Sequence, residues 1–179
     1  MSATELAACC PPPLTPFSVP GVGDWERVEA SLGIRFPLDY KESLSRYGSG
    51  GFGDFLYLLN PFFLKEGYAY TQQVSGMLEA YRALKEITPA ALPYSCHPEP
   101  GGLYPAAVTD NGDVLYWVTA ASPDDWPVVI YNSRHWRHEE VPLSLTALLT
   151  AWLAGSLSTR ILPKCQPTFR VYGTPREPA

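Results

Sequence analysis

The stretch Leu32–Asp54, LGIRFPLDYKESLSRYGSGGFGD, decides between two folds. Its Gly48, Gly50 and Gly53 satisfy G-x-G-x-x-G, the spacing of a dinucleotide-binding loop. That loop works only between a preceding strand and a helix that opens immediately after it, because the helix N-terminus receives the pyrophosphate. The order here is reversed. Pro37 suits the first position of a helix, Asp39 sits near its positive end, and Tyr40, Leu44 and Tyr47 follow the i, i+4, i+7 rule. The helix therefore lies before the glycines, with Gly48 as its cap. After them, the apolar run from Phe55 to Leu59 reads as a strand closed by Asn60-Pro61. No Lys-Ser or Lys-Thr completes a Walker loop. The glycines are read as a helix cap and a flexible helix-to-strand loop over Ser49 to Phe52.

Working outward, Asp24 can cap a short helix carrying Trp25, Val28 and Leu32, with Gly33 as its stop. Val74, Met77, Leu78, Tyr81 and Leu84 mark a third helix that ends before Pro89. Tyr104, Ala106 and Val108 then alternate, Asn111-Gly112 predicts a type I′ turn, and Val114 to Thr119 returns. Pro127 to Tyr131 and Trp136 to Val141 read as further strands. Ser144 caps a last helix with Leu145, Leu148, Leu149, Trp152 and Leu153 on one face and Gly155 as its stop. This order predicts an α+β fold: one domain over residues 22–155, with an antiparallel-rich sheet flanked by N-terminal helices and a closing C-terminal helix. Residues 1–21, with prolines at 11, 12, 13, 16 and 20, read as an extended, disordered leader. Residues 156–179 read as a proline-containing basic extension in which Thr168 to Tyr172 can add an edge strand.

Of the 179 residues, 46% are hydrophobic, and the formal net charge is −5. The charge is uneven: Gly21 to Gly155 holds 16 acidic and 9 basic residues, whereas Ser156 to Ala179 carries a net +3. An acidic body argues against a nucleic-acid partner, which needs a basic face, and permits steering toward a basic protein. Cys9, Cys10, Cys96 and Cys165 form no C-x-x-C, so neither a disulfide framework nor a zinc knuckle is indicated and a reducing cytoplasm is expected. Leu6-Ala7-Ala8-Cys9 resembles a lipoprotein cleavage box but lacks the apolar stretch of about 7–15 residues that such a box follows. No membrane partner is expected.

Spacing nominates no catalytic residue, cofactor or metal. His135 and His138 are three apart, so on a strand their imidazoles diverge. Asp110-Asn111-Gly112-Asp113 lacks the ligand ladder and terminal Glu of a calcium loop. Cys96 and His97 are adjacent, a poor geometry for a nucleophile and its base, and G-x-S-x-G is absent.

Two blocks of sequence carry a family likeness. The first runs from Trp25 to Gly33, through Phe36-Pro37-Leu38-Asp39-Tyr40, to Tyr47-Gly48. The second holds Pro98-Glu99-Pro100-Gly101-Gly102-Leu103, Thr109-Asp110-Asn111-Gly112-Asp113, Tyr116-Trp117 and Asp124 to Val129. Together, in this order and spacing, they resemble the SUKH superfamily, named partly for yeast cell-wall-synthesis regulators and dominated by bacterial immunity proteins. The resemblance implies a single α+β domain without enzymatic activity that binds and neutralises a cognate toxin, a nuclease or deaminase. A regulatory scaffold like the yeast members is the alternative. The expected partner is a basic protein toxin, and the expected contact positions are Asp110, Asp113, Asp124 and Asp125, with Ser49 and Phe52 of the glycine stretch. Residues 61–97 match no family motif and are a place for partner choice.

Overall fold

The computed structural model describes residues 3–63, 69–120 and 122–174. In chain order they form α1 (Ala3–Cys9), α2 (Asp24–Leu32), α3 (Leu38–Tyr47), β1 (Gly50–Phe52), β2 (Leu56–Leu58), α4 (Tyr70–Ile87), β3 (Leu103–Thr109), β4 (Val114–Val118), β5 (Val128–Asn132), β6 (Arg137–Val141), α5 (Leu145–Leu153) and β7 (Phe169–Val171). The strands make one antiparallel sheet in the order β6-β5-β4-β3-β2-β1-β7. The fold is α+β, as the sequence predicts.

Helix α3 and its neighbours cover one face. Tyr40 meets Trp117 edge-on at 4.9 Å, and Tyr47 meets Phe52 at the same distance. Helix α5 is tied alongside by Asp39, whose Oδ2 accepts from the Thr146 amide at 3.0 Å and from its hydroxyl at 2.7 Å. A carboxylate suits that place, at the positive end of α5. The other face is covered by α4, whose Tyr81 packs on Tyr131 at 5.5 Å and Tyr116 at 5.9 Å. Helix α4 leaves the β7-β1-β2 side of that face open.

Four expectations are corrected. The leader is helical over Ala3–Cys9, because Ala3, Leu6 and Cys10 present one apolar face to α3 and α5, and the Tyr47 hydroxyl donates to the Cys10 carbonyl at 2.6 Å. The expected loop Ser49 to Phe52 contains strand β1, since Gly51 and Phe52 pair with β2 on one side and with β7 on the other. The type I′ geometry falls at Gly53 and Asp54, both with positive φ (55° and 53°), closed by the Phe55 amide on the Phe52 carbonyl at 3.0 Å. At the β3–β4 turn only Gly112 is left-handed, with its amide bonded to the Thr109 carbonyl at 3.0 Å, the pattern of a type I turn ending in a glycine bulge. Finally, Tyr104 and Val108 do not share a face. Tyr104 pairs with Trp117 and Val108 with Val114, on opposite sides, because an irregularity between Pro105 and Ala107 inserts one extra residue. Proline, lacking an N–H, is tolerated in an inner strand at such a bulge.

His138 of β6 points at α4. Its Nε2 lies 3.0 Å from the Tyr81 hydroxyl, with the Tyr131 and Tyr94 rings at 5.0 and 5.4 Å. Burial pushes its pKa below the ordinary 6.5, opposed by the nearby Glu140 carboxylate. His97 is lowered too, by burial and by the Arg82 guanidinium. Both imidazoles are therefore held neutral by folding. The stability this supplies is fully present above pH 6.5 and is lost as pH falls through the lower folded values. Urea midpoints are expected to be flat above neutrality and to fall below pH 6.5, and His138→Asn to flatten part of that slope.

Candidate functional site

The open part of the α4 face is a cleft of about 520 Å³. Its floor is a row of cross-strand partners, Arg170, Gly51, Tyr57 and Val108, one from each of β7, β1, β2 and β3. Residues opposite one another in a sheet share a face, so register alone puts these four together. Tyr70 and Gln73 of α4 form one wall, and Asp110, at the β3–β4 turn, also lines the cleft. Gly51 has no room for a side chain, because a Cβ there would lie 2.6 Å from the Tyr57 ring. The floor is fixed from both sides by main-chain pairing.

An aromatic cluster stands at the rim. Phe17 and Tyr172 stack with 6.4 Å between centroids and 19° between planes, and Phe63 meets them edge-on at 6.1 and 4.7 Å. Phe17 is 46% and Tyr172 39% exposed. Phe17 is pinned through its backbone: the Ser49 amide donates to its carbonyl at 2.7 Å, and Asn60 Nδ2 donates to the Ser18 carbonyl at 2.9 Å. Arg170 is held by Asp54, with Nε 2.5 Å from Oδ1, and by the Thr174 carbonyl at 3.3 Å. Aromatic and arginine side chains presented on a rigid frame are the composition of protein-binding hot spots, since they cover large areas at low entropy cost.

Of the expected contact residues, the structure brings Asp110 and Ser49 to this cleft and scatters the rest. The Ser49 side chain is buried and accepts from Asn60 Nδ2 at 2.8 Å. Phe52 is fully buried, clamped between Tyr47 and Phe169, so its ring is part of the core and not a surface contact. Asp113 is also interior. Its Oδ1 accepts from Asn132 Nδ2 at 3.0 Å and from the Ser133 amide at 3.1 Å, which holds the β3–β4 turn against the end of β5. Asp124 and Asp125 are exposed in the 3-10 turn Pro123–Asp125, where Asp124 Oδ1 accepts from the Leu38 amide at 2.6 Å and so caps α3.

Sequence reasoning missed Phe17, Tyr57, Phe63, Arg170 and Tyr172. One signal was available: Arg170 and Tyr172 alternate on a predicted edge strand, which places them on one face. Elsewhere, Cys96 is buried, and burial raises its thiol pKa, the opposite of an activated nucleophile. Among the described residues no group of histidine, cysteine and carboxylate side chains is placed to hold a metal ion, and no helix is long and apolar enough to cross a membrane.

No curated protein and no solved structure matches the chain. A family model does: SUKH_6, described as SMI1-KNR4 cell-wall, over residues 23–149. That span runs from the start of α2 into α5 and includes every strand but β7. The chain belongs to the SUKH_6 family of SMI1-KNR4 domains.

Proposed function

We propose that this chain is an immunity protein that binds a cognate bacterial toxin, of nuclease or deaminase type, in the cytoplasm. It neutralises the toxin by protein–protein contact and performs no chemistry itself. The observation that carries this reading is the aromatic cluster of exposed Phe17 and Tyr172 with half-buried Phe63 beside a rigid cleft, on a domain of the SUKH family. The acidic body supports it, because a basic enzyme would be steered to such a surface and associate faster. The family's cell-wall designation favours a second reading, a regulatory module that binds a signalling protein.

Co-expression with a toxin encoded next to this chain separates the two. Immunity predicts restored growth and co-purification of the pair. Continued killing together with no complex overturns it.

A further inference from the structure

The hairpin between β5 and β6 ends in four consecutive exposed residues, Arg134, His135, Trp136 and Arg137, which belong neither to the cleft nor to the core. Trp136 is 42% exposed and has φ 52°. Glycine and asparagine are the ordinary occupants of that left-handed region, and a bulky aromatic there is an outlier. Residues held in such a conformation gather in ligand-binding and switch regions, where neighbours override the local preference. Here the neighbours are buried Asp113 and Asn132. Asp113 Oδ1 accepts from Asn132 Nδ2 at 3.0 Å and from the Ser133 amide at 3.1 Å, and Asn132 Oδ1 accepts from the His135 amide at 2.9 Å. The tip is therefore a preformed turn, and binding there orders little new backbone.

Its charge is uncommitted as well. Among the described residues Arg134 and Arg137 form no ion pair, and the Trp136 ring packs on no other ring. The nearest carboxylates along β6 are already hydrogen-bonded. Glu139 accepts from the Thr159 hydroxyl at 2.5 Å and from the Arg160 amide at 2.8 Å, and Glu140 accepts from the Tyr94 hydroxyl at 2.5 Å. The bond to Glu139 also brings the exposed Arg160 to the same edge strand, a third cation.

We propose that this tip anchors a protein partner by taking a short acidic and apolar segment of it, with apolar side chains on the Trp136 indole and carboxylates on Arg134 and Arg137. Tryptophan and arginine dominate binding hot spots, and an arginine fork meets a carboxylate through two parallel hydrogen bonds. Four residues span at most about 13 Å of chain, so one segment covers the tip without any single group having to reach all of it. The Debye length at physiological salt is about 8 Å, so these arginines act on a segment at the tip more strongly than the acidic residues farther off. A nucleic-acid strand would run on from the tip along a body with 16 acidic against 9 basic residues, whereas a short segment ends at the tip.

The test uses the isotope-labelled full chain and two blocked peptides, one alternating glutamate with leucine, the other lysine with leucine. The glutamate peptide is expected to shift the Trp136 indole N–H and the amides of Arg134 to Arg137 saturably, and the lysine peptide to leave them in place. Arg134→Glu combined with Arg137→Glu should weaken the glutamate peptide roughly tenfold, and Trp136→Asn about fivefold. Trp136→Asn should also keep or raise the thermal midpoint, because asparagine tolerates the left-handed backbone. Equal shifts from the lysine peptide, shifts confined to other surfaces, or unchanged affinity in the variants overturn the proposal. So does a lower thermal midpoint in Trp136→Asn, which would make the ring a packing element of the hairpin. Tighter binding of a single-stranded oligonucleotide at the same amides overturns it too, by making the tip a nucleic-acid contact. No toxin enters the titration, so its result and that of the co-expression experiment stand independently.

Discussion

Gly48→Ala is expected to destabilise the fold by about 3–5 kcal/mol, read as a shift in the urea or thermal midpoint. Two costs combine at this position. Gly48 has φ 65° and ψ −144°, a region that residues with a Cβ essentially avoid. A Cβ built there would also lie 2.1 Å from the Phe17 carbonyl oxygen, a backbone atom that cannot rotate away. That oxygen accepts from the Ser49 amide, so relief of the clash pulls the N-terminal stretch off the sheet and dismantles the aromatic rim with it. Gly33→Ala is the control. Its φ of 66° is equally left-handed, but nothing lies within 4 Å of its Cβ, and it should lose only about 1–2 kcal/mol. Equal losses in the two variants would mean that the Phe17 contact contributes nothing.

Trp117→Ala should cost about 3–5 kcal/mol, the range for removing a large aromatic side chain from a packed core. Trp117 is fully buried at the centre of the sheet, with Tyr40, Phe36, Trp126 and Tyr104 rings at 4.9, 6.1, 6.1 and 6.5 Å. Its indole N–H has no hydrogen-bond partner among the described residues. Trp117→Phe keeps much of the ring packing and removes that unpaired donor, so it should cost clearly less than the alanine variant. Denaturant unfolding of both proteins gives the comparison, and an equal loss in the two would show that ring packing at this position does not set the stability.

Helices α2 to α5 were legible because each has an apolar face at helical spacing and a stop signal, such as Gly33 after Leu32 or Pro89 after α4. The β3–β4 hairpin was legible too, but its turn type was not. Asn111-Gly112 is the commonest sequence for two left-handed residues, yet the bulge pairing of β3 with β4 asks for only one. Strand β1 was hidden by its composition. Gly50-Gly51-Phe52 has low strand propensity, and it is a strand only because β2 and β7 supply partners on both edges. Helix α1 was hidden by the prolines after it, although Ala3, Leu6 and Cys10 carry the helical spacing.

For the site, the sequence singled out aspartates by sign, and sign does not report burial. Asp113 and Asp110 are three residues apart in one turn, yet one is buried against Asn132 and Ser133 and the other is exposed beside the cleft. The cleft floor draws on β7, β1, β2 and β3, segments separated by up to about 120 residues of chain, and no local pattern encodes such a meeting.

The stretch LGIRFPLDYKESLSRYGSGGFGD by itself determined that no dinucleotide loop exists here, because a helix precedes its glycines where a strand would have to stand. It also determined, together with the hairpin signals downstream, that the fold is α+β. Only the tertiary structure decided what the glycines do. Gly48 makes room for the Phe17 backbone, Gly50 and Gly51 form an inner strand packed closely against the Phe169 and Tyr57 rings, and Gly53 turns the chain back. The reason is that a helix is specified by contacts three and four residues apart, whereas a strand exists only through neighbours that arrive from elsewhere in the chain.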